Sequence, residues 1–280
     1  MSLILGLIAA ACWGLHDFCI RLTSQSTPIS AAMIAVMIFG LLFQTTLLVA
    51  TSNYTPLPPN SFAQILFAGV SFAAANCGLY VAFQRGPVWL AAPLVACFCV
   101  FSVGIAMFGG ATVSVGQLTA VGVILCGITM IAVLADRDDD HETSYFWTIV
   151  SALICAAAFA STFHFGQSAT ELTNGLVSAI ITRIVAIGVL LTGFWTLRLP
   201  LWPAVSSLGA FAVMGVLDGV AIFSIMSAGN HPNPEYASVT TAMYGLPTIW
   251  LAAFFLKERI NAVQWLGCLI AFFGVGYLSL

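Results

Sequence analysis

Charge is what this sequence most conspicuously lacks. Its 280 residues hold seven Lys and Arg and ten Asp and Glu, a charged fraction of 6%. Such a chain cannot clothe itself in a solvated surface. With 61% apolar residues and a mean hydropathy of +1.06, it carries more hydrophobic area than a water-soluble core can hide, so it is expected to be an integral membrane protein with the lipid bilayer as its main partner. The net charge of −3 offers no basic field, which argues against nucleic acid as a partner. His-Glu-x-x-His, Gly-x-Ser-x-Gly and the Gly-rich phosphate loop are all missing, which argues against a zinc protease, a serine hydrolase and direct ATP coupling. No filter-like loop or ring-forming charge pattern favours a channel. The eight cysteines all fall inside apolar runs, where they read as small hydrophobes; neither a disulfide framework nor a metal site is expected, and no cofactor is implied.

Long apolar runs are abundant. They divide the chain into ten windows, roughly 3–22, 29–50, 62–84, 88–109, 116–134, 146–168, 174–197, 204–228, 235–256 and 262–279, each long enough for a transmembrane helix. The first lacks a basic leading segment and meets Arg21, so it reads as a retained span and not as a signal peptide.

The windows repeat. Subtracting a constant 147 (264 − 117 = 147) lays Pro234 on Pro87, Gln264 on Gln117 and Gly274 on Gly127. Alanine matches are cheap in so apolar a chain, but Pro, Gln and Gly at one offset are not, and a tandem duplication follows. The expected organisation is a first repeat over 1–135, an acidic linker over 136–144 and a second repeat over 145–280. The linker, Asp136 to Glu142 with Arg137 and His141 among its acids, reads as a solvated charge block. Five helices per repeat is an odd number, so the second repeat should lie inverted in the membrane. Inverted repeats place a substrate path at their interface and let one half rock against the other.

Trp13-Gly14 with Arg21 closing the first helix, Arg183 inside the seventh, the Gly245-x-Pro247 break, and Lys257-Glu258-Arg259 followed by Gln264-x-x-Gly267 and Gly274-x-Gly276 resemble the EamA-type family of the drug/metabolite transporter superfamily. The resemblance spans essentially the whole chain. It implies an all-α integral membrane fold of ten helices in two inverted five-helix repeats, a central cavity, and export of a small metabolite such as an amino acid or amine across the inner (plasma) membrane. An uptake carrier, exchanger or facilitator of the same fold is the alternative, and an intramembrane enzyme a more distant one. Ten helices suffice for a pathway, so a monomer or a homodimer is expected. The first repeat departs from the pattern, with Gly110-Ala111-Thr112 where the second has Lys257-Glu258-Arg259. Orientation gives two answers. Arg21, Arg85, Arg137, Arg198, Lys257 and Arg259 all follow odd-numbered windows, which puts both termini outside, whereas the resemblance implies both termini in the cytoplasm.

Ionisable groups inside the windows need a partner or water, since an exposed charge at a helix centre costs at least about 2.5–3.5 kcal/mol. Asp218, midway along the eighth window, is a candidate proton-coupling carboxylate or a structural partner of Arg183. Arg183 is expected to tie helices together, its guanidinium staying charged throughout. Asp17 falls on His164 under the repeat offset, so these two could share a proton, histidine titrating close to neutrality; wetting by headgroups is the other reading. Trp13 and His16 share a face and could line the cavity. Asn76 and Tyr80 form a polar stripe on the third helix, as Tyr244 and Thr248 do on the ninth, either orienting a substrate or joining helices. Trp250 lies on another face of the ninth helix and is the remaining binding candidate. Glu235, beside Pro234, is expected to complement a helix N-terminus.

Overall fold

The structure, a computed structural model, describes residues 1–52, 54–110, 114–135, 145–170, 173–232, 234–258 and 260–278, without the side chains of 131–135 and Glu235. The acidic linker, Arg259 and the expected capping by Glu235 lie outside these described residues.

Among the described residues ten helical spans form, one for each apolar window. They are α1 (Ser2–Thr23), α2 (Ile29–Thr51), α3 (Phe62–Arg85), α4 (Val88–Phe108), α5 (Val115–Ala135), α6 (Phe146–Thr170), α7 (Gly175–Thr196), α8 (Leu208–Ser227), α9 (Tyr236–Leu256) and α10 (Ala262–Leu278). Eight are long and apolar enough to cross a membrane by those measures; α10 and the described part of α5 are shorter. At about 1.5 Å per residue, α10 still covers roughly 25 Å, near the lower limit for a span.

The residues that matched across the repeats occupy matching structural roles. Pro87 precedes α4 and Pro234 precedes the helix that opens α9, where a missing N–H costs nothing because the first turn has no acceptor for it. Gln117 caps α5 reciprocally with Ser114: Gln117 Oε1 accepts from Ser114 N at 2.8 Å and Ser114 Oγ from Gln117 N at 3.1 Å. Gln264 does the same for α10 with Asn261, at 3.0 and 2.8 Å. Each box satisfies two otherwise orphaned backbone donors. Gly127 and Gly274 sit where α5 crosses α10; a Cβ at Gly127 would come 2.5 Å from Ala271 N and one at Gly274 2.9 Å from Ile124 N.

Packing follows the same symmetry. Helix α3 packs on α6, and its repeat counterpart α8 packs on α1; α2 on α8 is matched by α7 on α3, and α4 on α6 by α9 on α1. Helices α2 and α7, α4 and α9, and α5 and α10 pair with their own counterparts. A pseudo-two-fold relation between the repeats accounts for every one of these contacts. Both halves also bend at equivalent points. The helical run of α4 breaks at Cys97, and that of α9 passes through a tight turn at Ala242–Tyr244. Pro247 cannot donate to Met243 O, which frees that turn to tighten.

Candidate functional site

Two polar clusters lie in the interior, one drawn from α1, α2, α7 and α8 and the other from α1, α3 and α9. The first is built on Asp218. Its Oδ1 accepts from Trp13 Nε1 at 2.9 Å and its Oδ2 from Arg183 Nη1 at 2.7 Å. Arg183 Nε donates to Gln44 Oε1 at 3.0 Å, and Gln44 Nε2 donates in turn to Gly219 O at 2.9 Å. Arg183 is fully buried, with Cζ 5.6 Å from the centre of the Phe72 ring. Charge-assisted bonds and a ring face thus compensate the guanidinium. Gly40 makes room for it: a Cβ there would come 2.5 Å from Arg183 Nη1 and 2.9 Å from Gly215 O. Side chains from α1, α2, α7 and α8 are joined in one network, in which Arg183 Nη2 is left without a partner among the described residues.

The second cluster is built on Asp17. Asp17 Oδ1 and His16 Nδ1 lie 2.9 Å apart, both residues buried. Neighbouring positions on a helix point about 100° apart, so the two side chains bend toward each other across that angle. Among the described residues, His16 Nε2, Tyr80 Oη and Tyr244 Oη are buried with no hydrogen-bond partner. Aromatic rings wall this region. Trp13 lies 5.4 Å from Phe159 and 5.7 Å from Phe163; Phe98 meets Phe163 edge-on at 5.2 Å and lies parallel to Tyr244 at 6.5 Å.

Trp13, His16, Asp17, Tyr80, Asn76, Tyr244, Arg183 and Asp218 are therefore all interior. Asn76 uses its amide within its own helix, donating to Phe72 O at 2.9 Å. Two expected residues fall elsewhere. His164 is exposed on the outer face of α6, against Phe165, and does not meet Asp17. The reason is rotational: α6 buries Cys155, Phe159 and Phe163, and His164 lies one residue, about 100°, past that face. Trp250 is 58% exposed and stacks on Phe254 on the outside of α9. It belongs to the lipid-facing surface and not to the interior.

Each end of the interior is tied off. At one end Arg21 Nε meets Glu258 Oε1 at 3.2 Å, Arg21 Nη1 donates to Phe83 O at 3.0 Å, and Glu258 Oε2 accepts from Val88 N at 2.9 Å. One ion pair so gathers the ends of α1, α3, α4 and α9. At the other end the ties are uncharged: Ser2 Oγ to Pro232 O at 2.9 Å, Thr241 Oγ1 to Gly6 O at 3.2 Å, and Gln167 Nε2 to Ile225 O at 3.1 Å.

The sequence reading had not anticipated Gln44, the ring wall of Phe98, Phe159 and Phe163, or the Arg21–Glu258 pairing. Gln44 could have been found as a lone amide within an apolar run. The three rings carry no signal that separates them from the other phenylalanines of the chain.

A profile of the EamA-like transporter family matches residues 1–133 and 146–280, one repeat after the other. The chain belongs to the EamA-like transporter family. It is a multi-pass membrane protein of the drug/metabolite transporter type. No curated protein matches it. Twenty-eight chains of solved structures do. One of them, a crystal structure 13% identical over 99% of this chain and 96% of its own length, superposes with a TM-score of 0.72, a likeness of fold. Within this EamA-like chain the Trp-Gly and Gly-x-Pro motifs meet directly. A Cβ on Gly14 would lie 2.7 Å from Pro247 Cγ, and Thr248 Oγ1 donates to Gly14 O at 3.0 Å. Gly14 is the notch that seats the bent part of α9, while Trp13 beside it reaches Asp218.

Two surface hollows lie apart from these clusters. An apolar groove of about 730 Å³ between α5, α9 and α10 is lined by residues such as Met243, Leu269 and Phe273. A hollow of about 320 Å³ at the ends of α2, α7 and α8 is lined by Thr51, Asn174, Ser227 and Asn230 among others.

Proposed function

We propose that the protein is a secondary carrier that exports a small metabolite, an amine or an amino acid, across the inner membrane by alternating access. Five crossings per repeat invert the second repeat relative to the first, and rocking of one against the other would open the interior to each side in turn. The observation that supports this most is the pairing of a buried aromatic and polar centre with separate sets of ties at its two ends. A permanently structural core needs no unpartnered buried hydroxyls, since each costs about 1–3 kcal/mol.

Substrate would meet Trp13, Asn76, Tyr80 and Tyr244. Asp218 was a candidate for proton coupling. Both of its oxygens are engaged and Arg183 balances its charge, which favours its structural reading. Asp17 with His16 is the better candidate for a group that changes protonation during the cycle, because no arginine meets it among the described residues.

Purified protein in liposomes holding a trapped pH dye tests the proposal, challenged with amino acids, amines and neutral metabolites. Saturable, substrate-dependent proton movement supports a coupled carrier. Saturable flux without proton movement means a facilitator or exchanger, and no flux of any compound in either direction ends the transport reading.

A further inference from the structure

We propose that Asp17 is the docking point for the positive charge of an organic monocation, held in a box of aromatic rings between the repeats. The proposal deepens the transport reading and rests on it for its biological sense, though the binding itself is testable alone.

Among the described residues the interior holds two acids, Asp17 and Asp218, one arginine, Arg183, and the imidazole of His16. Arg183 is bonded to Asp218, which also receives Trp13, so both oxygens of Asp218 are engaged, while Arg183 Nη2 is buried with no partner among the described residues. Arg21 is committed to Glu258, and Lys257 is exposed. Asp17 is 2% exposed, and His16 is its one hydrogen-bond partner among the described residues. Its Oδ2 makes no hydrogen bond among the described residues. His16 is the one base that meets it among the described residues; with that imidazole neutral the acid's charge is unmatched, and the complementary ligand group carries positive charge.

The surroundings fit the same ligand. Trp13 stands one turn from Asp17 on the same face of α1. It heads a wall of rings that continues through Phe163 and Phe98 to Tyr244. Tyr80 and Tyr244, whose hydroxyls lack partners among the described residues, are buried in the same interior. Aromatic faces around an acid attract a desolvated cation through the negative face of each ring. A dicarboxylate or phosphate would instead meet the unpaired acid and be repelled.

The test uses detergent-purified wild-type protein and four probes of similar size: benzyltrimethylammonium, its uncharged isostere neopentylbenzene, benzenesulfonate and zwitterionic phenylalanine. The expected result is saturable binding by calorimetry, with a raised Tm, for benzyltrimethylammonium alone. Asp17→Asn should weaken that binding about tenfold or more, and Asp17→Glu should recover part of it. Because Asp17→Asn could fail to fold, wild-type protein is also treated with a hydrophobic carbodiimide and mapped by mass spectrometry. Modification is expected at Asp17 and not at Asp218, with benzyltrimethylammonium protecting. Equal binding by Asp17→Asn, modification at Asp218 alone, or absence of protection would overturn the assignment. So would preference for neopentylbenzene, which would mean that His16 and Asp17 act as a neutral pair, or for phenylalanine, which would point to the unpartnered Arg183 Nη2. A cation that binds, with no compound carried in liposomes, leaves the site standing and removes the transport reading. Carriage of neutral compounds without cation binding does the reverse.

Discussion

At the scale of single residues, the chain separates two acids that look alike on paper. Asp218 and Asp17 are both lone carboxylates in apolar helices, but only Asp218 has an arginine. Removing Arg183 alone strands a buried charge, and such losses cost about 3–5 kcal/mol. Arg183→Met should therefore lower stability sharply, while the double variant Arg183→Met with Asp218→Asn should recover much of the loss. Thermal unfolding of the four proteins in one detergent measures the coupling; additive losses would mean that the pair contributes nothing as a pair. Gly14 makes a second residue-scale prediction. A Cβ there collides with Pro247, and overpacking of this kind costs about 1–3 kcal/mol. Gly14→Val should lower Tm and disturb α9, whereas Gly122→Ala, where a Cβ meets open space, should be nearly neutral.

Among the elements, the end of α9 joins three other helix ends through Glu258. That carboxyl is only 10% exposed, and burial pushes its pKa above the ordinary glutamate range against the pull of Arg21 and the Val88 N–H. A raised folded pKa means the folded protein binds this proton more tightly than the unfolded chain. The group's contribution to stability is then fully present below its unfolded value, about 4.3, and is lost as pH rises through the raised value. Tm of the wild type should climb as pH falls from 7 toward that window, and Glu258→Gln should flatten this component. A wild type and variant with parallel pH profiles would show that Glu258 titrates normally. The capping boxes predict equivalence: Gln117→Ala and Gln264→Ala each remove one reciprocal bond, and each should cost about 0.5–2 kcal/mol.

For the whole molecule, the two ends of the interior differ in kind. The ion pair of Arg21 and Glu258 has no equivalent under the repeat offset, since Arg21 falls on Ser168 and Glu258 on Ala111. One end is thus latched by charge, and the other by uncharged hydrogen bonds. Joining Ser24→Cys to Gln84→Cys with a short bifunctional reagent, where Gln84 Nε2 already donates to Ser24 O at 3.4 Å, should hold the charged end shut. Net flux in liposomes should stop, and thiol reduction of a cleavable linker should restore it. Undiminished flux through the linked protein would mean that this end does not open.

How much of this was legible beforehand follows from what each signal depends on. Membrane insertion, ten spans and the duplication were determined by the sequence, because hydropathy and run length act locally and a constant offset survives in Pro, Gln and Gly, whose backbone roles few residues can replace. The interior positions of Trp13, Tyr80, Arg183 and Asp218 were legible too, since polar groups in apolar helices must turn from lipid. Which acid met the arginine, and which face of α6 turned inward, was decided only by the tertiary structure. The repeat offset pairs Asp17 with His164 as if the two helices were rotated alike, and a rotation of one residue about α6 sends His164 to the surface and brings Phe163 to Trp13. Such a rotation changes no local propensity in a helix that is apolar all round; it is set by what packs against it.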